Sequence, residues 1–380
     1  MIPSLPHEVM LLIFDFLDES ARSSRIDWFD DTALAEQRQI GPIISLVSRN
    51  FVAHGQAIVW RSVLLDASEG RLARSTMSAL TTNPHLAQKV TRLLALADGE
   101  DVYRIRDLDF ESLLLTVPNL SYFGVDANPH YVQRSLNPPS LAQTSRLAHL
   151  VLHTSSYGGP YGSTPPSYFL MLQELLPSAL PHLESLHVRV GYPASGLDLS
   201  SSASSQHARH STKLHSVKLE FESASTDESE RYAAEFLKAF LGRIDSSLCP
   251  LASVSIASEC PPHSLAAFIA TCSLLNDLSI ECSSAACDSP VRPILAALER
   301  QSSPRLQSLV LRIDYATETG FQPPAPFVDL VFNTIASLGD LRAVDLDFDL
   351  APSMARRTPT IGRVTRTVTG RARWNPSDLT

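Results

Sequence analysis

The chain has 380 residues, 44% hydrophobic and 19% charged, a balance that excludes an intrinsically disordered protein. Its 31 basic and 40 acidic side chains leave a net charge of 31 − 40 = −9, which argues against a general nucleic-acid binder. Five cysteines, an odd number without a Cys-x-x-Cys pair, give neither a disulfide framework nor a zinc site.

First in chain order comes Ser4–Leu17, "SLPHEVMLLIFDFL". Met1–Val9 holds no Lys or Arg, so no secretory leader is read there, and a cytoplasmic or nuclear location is expected. From Val9 to Leu17 every residue except Asp15 is apolar, yet this stretch is far short of the roughly 20 residues a membrane span needs. Pro6 suits a first helical turn, so the segment predicts a helix that is apolar all round and must be covered on every side. Val9, Leu12, Ile13 and Phe16 share one face, while Met10, Leu11 and Phe14 lie mostly on the other. One set can pack on Leu46, Val47, Phe51, Ile58 and Trp60. The other remains an apolar patch of the kind that marks a protein interface.

After a polar stretch, Asp18–Gln39, comes Ile43–Leu65, "IISLVSRNFVAHGQAIVWRSVLL". Taken in order, Leu5-Pro6-x-Glu8-Val9, Ile13-Phe14, Leu17, Leu46-Val47-Ser48-Arg49-x-Phe51 and Trp60-Arg61 resemble an F-box, with Asp18–Gln39 longer than the family's usual connection. The arrangement is similar to F-box proteins abundant in mushroom-forming fungi. The resemblance implies a small helical bundle that docks the Skp1 adaptor of a cullin ubiquitin ligase. By position it makes Leu5, Pro6, Ile13, Leu17 and Val47 the candidate adaptor contacts, with plain core packing the alternative for each.

Further along, one spacing recurs: Leu-x-x-apolar-x-apolar. It appears at Leu147-Leu150-Leu152, Leu183-Leu186-Val188, Leu214-Val217-Leu219, Leu251-Val254-Ile256, Leu275-Leu278-Ile280, Leu306-Leu309-Leu311 and Leu341-Val344-Leu346. Weaker copies are Val90-Leu93-Ala95 and Leu120-Phe123-Val125. Eight steps cover the 251 residues from Val90 to Leu341, each between 24 and 37 residues long. Between the strands, Tyr168–Leu176, Glu230–Ile244, Ser264–Cys272, Val291–Arg300 and Phe327–Leu338 carry helical spacing, with Ser289-Pro290 read as a cap and first turn.

Each helix–strand unit has an apolar face it cannot bury alone, so stacked units share one core. A doubly wound α/β enzyme would alternate in the same way, but no glycine fingerprint follows any strand. The repeats resemble the degenerate leucine-rich repeats of F-box proteins. The expected fold is therefore a small all-α bundle over 1–66, with an inserted loop at 18–40, followed by an α/β leucine-rich-repeat-like solenoid over 67–350, its strands parallel and its helices outside. A basic tail without structure is expected over 351–380.

Residues between the inward apolar positions point away from the core and line the sheet face where repeat proteins bind partners. They are His153, His187 with Arg189, Lys218 with Glu220, Glu281, Arg312 with Asp314, and Asp345 with Asp347. His187, Arg189, Lys218, Glu281, Arg312, Asp345 and Asp347 are the candidate contacts for a target protein. In "VDLDFDL" the acids Asp345, Asp347 and Asp349 repel each other unless a basic partner is met, or else they mark a solvated edge strand.

The sequence holds no Gly-x-Ser-x-Gly elbow, His-Glu-x-x-His or P-loop, and the Gly-rich Gly158–Pro166 lacks the lysine of a phosphate loop. His149 and His153 are four apart, a spacing that converges on a helix and not on the strand read here. No catalytic residue, cofactor or metal ligand is assigned. The tail carries Arg356, Arg357, Arg363, Arg366, Arg371 and Arg373 with no acid from Ala351 to Ser377, a composition that suits nucleic-acid binding, a localisation signal or, more simply, a disordered end. The resulting expectation is a non-catalytic substrate-recognition subunit, with a protein-binding scaffold outside ubiquitin ligation as the alternative.

Overall fold

The structure, a computed structural model, describes residues 9–14, 49–66, 70–96, 110–126, 146–154, 182–190, 213–221, 251–258, 264–282, 288–300, 306–313, 325–338, 340–347, 364–366 and 372–374. The expected helices Tyr168–Leu176 and Glu230–Ile244, Asp314, and the adaptor candidates Leu5, Pro6, Leu17 and Val47 lie outside the described residues.

Ten parallel strands stand in chain order in one sheet. They are β1 (Ser62–Asp66), β2 (Arg92–Leu96), β3 (Tyr122–Asp126), β4 (His149–Thr154) and β5 (Ser185–Val190), then β6 (Ser216–Phe221), β7 (Ser253–Ser258), β8 (Asp277–Cys282), β9 (Ser308–Ile313) and β10 (Ala343–Asp347). Chain order and spatial order coincide because each strand pairs with the next one made, the arrangement of an α/β solenoid.

The repeat spacing explains the register. Every first-slot residue from Val90 to Leu341 is buried, none more than 8% exposed, and the two strand positions that follow are buried beside it from β2 to β9. In water each such side chain would forgo about 1.5–3 kcal/mol of burial, so the strands stack with these positions aligned. Just before each strand a second ladder locks the turns. Thr91 N–H donates to the Arg61 carbonyl, Ser121 to Thr91, Ala148 to Ser121, and so on through Asn276, Gln307 and Arg342. Uneven step lengths leave this ladder intact, since added loop length costs little entropy once the ends are held.

β1 falls within the residues that the sequence reading gives to the N-terminal bundle. Its pattern is Trp60-x-x-Val63-x-Leu65, with tryptophan in the leucine slot, and Trp60 packs against the main core. The expected packing of Trp60 on the first helix is thereby corrected: the ring belongs to the sheet.

Helices cover one face of the sheet. Ser264–Thr271, Asp288–Arg300 and Ala325–Ser337 follow β7, β8 and β9. Leu265, Ile269, Val291, Ile294, Leu298, Val331 and Ile335 on these helices share the core of the strands. The second of these helices begins at Asp288, so Ser289 lies in its first turn and is not its cap. Three helices absent from the sequence reading occupy the N-terminal half: Gly70–Thr82, Pro84–Ala87 and Phe110–Thr116. Asn83 caps the short one, its side chain accepting from His85 N–H and Leu86 N–H, with Pro84 in the first turn.

Residues 9–14 are helical (α1), and Arg49–Phe51 forms a single 3-10 turn leading into the helix Val52–Arg61 (α2). Phe14, Phe51 and Ile58 form a small core separate from that of the sheet, with Met10 and Leu11 against it. Within the basic tail, where no structure is expected, Val364–Arg366 (β11) and Ala372–Trp374 (β12) pair antiparallel, and β12 adds to the edge of β10.

Candidate functional site

Two surfaces stand out on physical grounds: the exposed side of α1 and the sheet face opposite the helices.

α1 is divided by its packing. Phe14 is 5% exposed and meets Phe51 edge to face, ring centroids 5.1 Å apart, whereas Val9 and Ile13 are each 38% exposed and Leu12 is 69% exposed. The face carrying Met10, Leu11 and Phe14 is the one that packs, and Val9, Leu12 and Ile13 are left bare.

On the sheet, register sorts the outward positions into three rows. One runs Arg92, Tyr122, His149, Ser185, Ser216, Ser253, Asp277 and Ser308. A second holds Leu94, Gly124, Val151, His187, Lys218, Ser255, Ser279, Val310 and Asp345, and a third holds His153, Arg189, Glu220, Ala257, Glu281, Arg312 and Asp347.

At its N-terminal end this face is apolar and covered. Leu94, Tyr122 and Val151 form a third buried cluster, and the Arg92 guanidinium lies 5.1 Å from the Tyr122 ring centroid. The sequence reading missed Arg92, Tyr122 and Leu94 because it took the weak repeats only for their inward positions. The alternation that exposed His187 applies to them equally.

The centre is polar. His153 and His187 meet edge to face with centroids 4.6 Å apart, His153 Nε2 lying 3.5 Å from His187 Nδ1. His187 Nε2 is 3.4 Å from Glu220 Oε1, and Arg189 Nε is 3.8 Å from Glu220 Oε2. Lys218 closes on the same Oε1 atom. One acid thus gathers two cations beside the His153–His187 pair, and His187 Nε2 approaches its carboxylate without meeting hydrogen-bond geometry.

The electrostatics follow from burial. Burial, reinforced by the nearby His187, holds the His153 imidazole far below its ordinary range, at about 3. For Glu220 burial alone would raise the pKa, but His187 and Lys218 outweigh it and hold the carboxylate at about 2. Burial likewise lowers His149, against the opposing pull of Glu184.

His187, Arg189 and Lys218, proposed separately from sequence, therefore lie together, with Glu220 and His153 completing the group. Glu281 and Arg312 form a second pair, Arg312 Nη1 donating to Glu281 Oε1 at 2.9 Å. Asp345 and Asp347 continue the same rows on β10, opposite Val310 and Arg312. Among the described residues no three His, Cys, Asp or Glu side chains are placed to hold a metal ion. The face presents charge of both signs, with the small residues Ser255, Ser279 and Ala257 between the two charged groups.

No protein-family model and no curated protein matches the chain. Among solved structures it is similar to a chain in the crystal structure of the Rad7 and Elc1 complex in yeast, at 13% identity and a TM-score of 0.36, over 92% of this chain and 84% of that one. A TM-score of that size is too low for a shared fold to be read from it.

Proposed function

We propose that the protein is a non-catalytic substrate-recognition subunit of a cullin ubiquitin ligase of the SCF type, working in the cytoplasm or nucleus. In this reading residues 1–66 are an F-box that docks a Skp1-type adaptor, the repeats are leucine-rich repeats that hold a target protein, and the adaptor links both to the cullin. The observation that carries the reading is the division of α1. A helix with oil on both sides packs Met10, Leu11 and Phe14 on Phe51 and Ile58, while Val9 and Ile13 are 38% and Leu12 69% exposed. Its occupant is argued from the ordered motif in which that helix sits, Leu5-Pro6-x-Glu8-Val9 through Trp60-Arg61.

The mechanism is proximity. A target held on the sheet and an enzyme recruited through the adaptor meet at raised effective concentration, and the chain supplies no reacting group.

Co-expression with a Skp1-type adaptor, followed by affinity capture, tests the reading. The wild-type chain is expected to retain the adaptor, while Leu12→Asp and Ile13→Asp should lose it with the fold unchanged by circular dichroism. Capture that is absent from wild type, or indifferent to both substitutions, overturns it and leaves a protein-binding scaffold.

A further inference from the structure

β10 alternates acid and apolar residues, with Asp345 and Asp347 two apart and Asp349 continuing the spacing in sequence. Like charges at that spacing repel, and the last strand of a parallel sheet also leaves a row of backbone donors and acceptors without partners. The tail of the chain meets both needs. β12 adds to the outer edge of β10 with Val344 opposite Trp374, Asp345 opposite Arg373 and Leu346 opposite Ala372. β11 then pairs with β12, setting Thr365 opposite Arg373 and Val364 opposite Trp374.

Residues opposite one another in an antiparallel ladder share a sheet face. Arg373 therefore takes the register position beside Asp345, and Trp374 continues the row of Val344, which is a core residue. The same tail carries six arginines and no acid from Ala351 to Ser377, a charge opposite in sign to the acids of β10. Its hold is short: three register pairs join β10 to β12, against five between β9 and β10.

We propose that the outer edge of β10 is a docking site for an extended basic segment of a partner protein, and that the hairpin β11–β12 occupies that site in cis until such a segment displaces it. Recognition is by strand addition, in which backbone hydrogen bonds supply affinity and the alternation of acid with apolar positions selects Arg or Lys at every second residue. The cis pairing stands by itself; reading the partner as a ligase target rests on the function proposed above.

A fluorescent peptide with the sequence of residues 361–376, titrated into the full-length chain, tests the proposal. Arg373→Glu sets like charges opposite each other across β10 and β12, so the hairpin leaves and the peptide binds about tenfold tighter than to wild type. Adding Asp345→Lys restores opposite charges across β10 and β12, so the hairpin returns and peptide binding falls to the wild-type level or below. Hydrogen exchange at the β10 amides rises in Arg373→Glu and falls again on adding the peptide, while β2–β8 stay unchanged, which separates displacement from misfolding. Equal binding to all three chains, or unaltered exchange at β10, overturns the proposal. A concentration-dependent dimer that Arg373→Glu dissolves would seat the hairpin on a second copy and overturn the cis arrangement. Adaptor capture is scored on the same chains. Capture without a peptide gain defeats this inference alone, and a peptide gain without capture defeats the receptor reading alone.

Discussion

Trp60 stands in the first repeat where Val90 stands in the second. The register sets Val63 opposite Leu93, and three residues before each lie Trp60 and Val90, both packed on the sheet core. The helix that supports α1 thus runs directly into the solenoid, and Trp60, its penultimate residue, packs on the sheet core. Trp60→Ala is expected to cost about 2–4 kcal/mol, near the low end of buried aromatic truncations because the ring is only partly enclosed. Urea unfolding followed by circular dichroism measures this; a loss below about 0.5 kcal/mol would mean the ring does not support the sheet.

The two sides of α1 should respond oppositely to substitution. Phe14→Ala removes a ring 5% exposed against Phe51 and should destabilise the N-terminal helices by about 3 kcal/mol. Leu12→Asp, at a position 69% exposed, should change stability by no more than about 0.5 kcal/mol. Proteolysis within residues 9–61 distinguishes them: faster cleavage of Phe14→Ala and unchanged cleavage of Leu12→Asp is the expected pattern, and the reverse refutes the assignment of faces.

Acid should weaken the fold through three groups acting in the same direction, His153 and Glu220 with the larger shifts and His149, lowered by burial, beside them. Folded His153 titrates at about 3 against 6.5 for the free side chain, so between those values the unfolded chain binds the extra proton. Stability from this site is complete above pH 6.5 and is lost as pH falls toward 3. Glu220 contributes above 4.5 and loses its contribution as pH falls toward 2. Unfolding free energy should therefore drop from pH 7 to pH 4.5, and His153→Leu should flatten that part of the curve, where Glu220 has barely begun to titrate. An equally steep curve in the variant would show that His153 is not the group responsible.

The charged groups on the sheet differ in what they contribute to stability. Arg312 and Glu281 are 42% and 40% exposed, so solvent screens their pair and Arg312→Ala should cost less than about 1 kcal/mol. Glu220 is 21% exposed and faces His187, Arg189 and Lys218 at once, so Glu220→Gln should cost about 1–2 kcal/mol by leaving those donors without an anion. Chemical denaturation of both variants at pH 7 decides the order, and a larger loss for Arg312→Ala contradicts this account. A binding defect in Arg312→Ala can then be read as lost contact rather than lost fold.

Much of the sheet was legible because period and burial are local properties of the chain. Nine copies of one spacing, Val90 through Leu341, correspond to nine strands, β2 to β10. β1 escaped because tryptophan fills its first slot, and the helix Gly70–Thr82 escaped because the reading began its repeats at Val90. The candidate site was legible only as a set of outward positions. Alternation named His187 and Arg189 on one strand and Lys218 on the next, but strands 31 residues apart in sequence become neighbours through pairing alone.

The amino-acid order by itself determined which side chains face in, since a strand alternates and water drives every second residue to the core. It also determined that α1 carries more apolar surface than one face can bury. Tertiary structure decided which face that was, through the Phe14–Phe51 contact, and it decided that Glu220 gathers Arg189 and Lys218 beside His187 and that Arg373 takes the register position opposite Asp345. Those outcomes depend on register between distant segments, and register is settled by the summed burial of the whole array rather than by any segment's own composition.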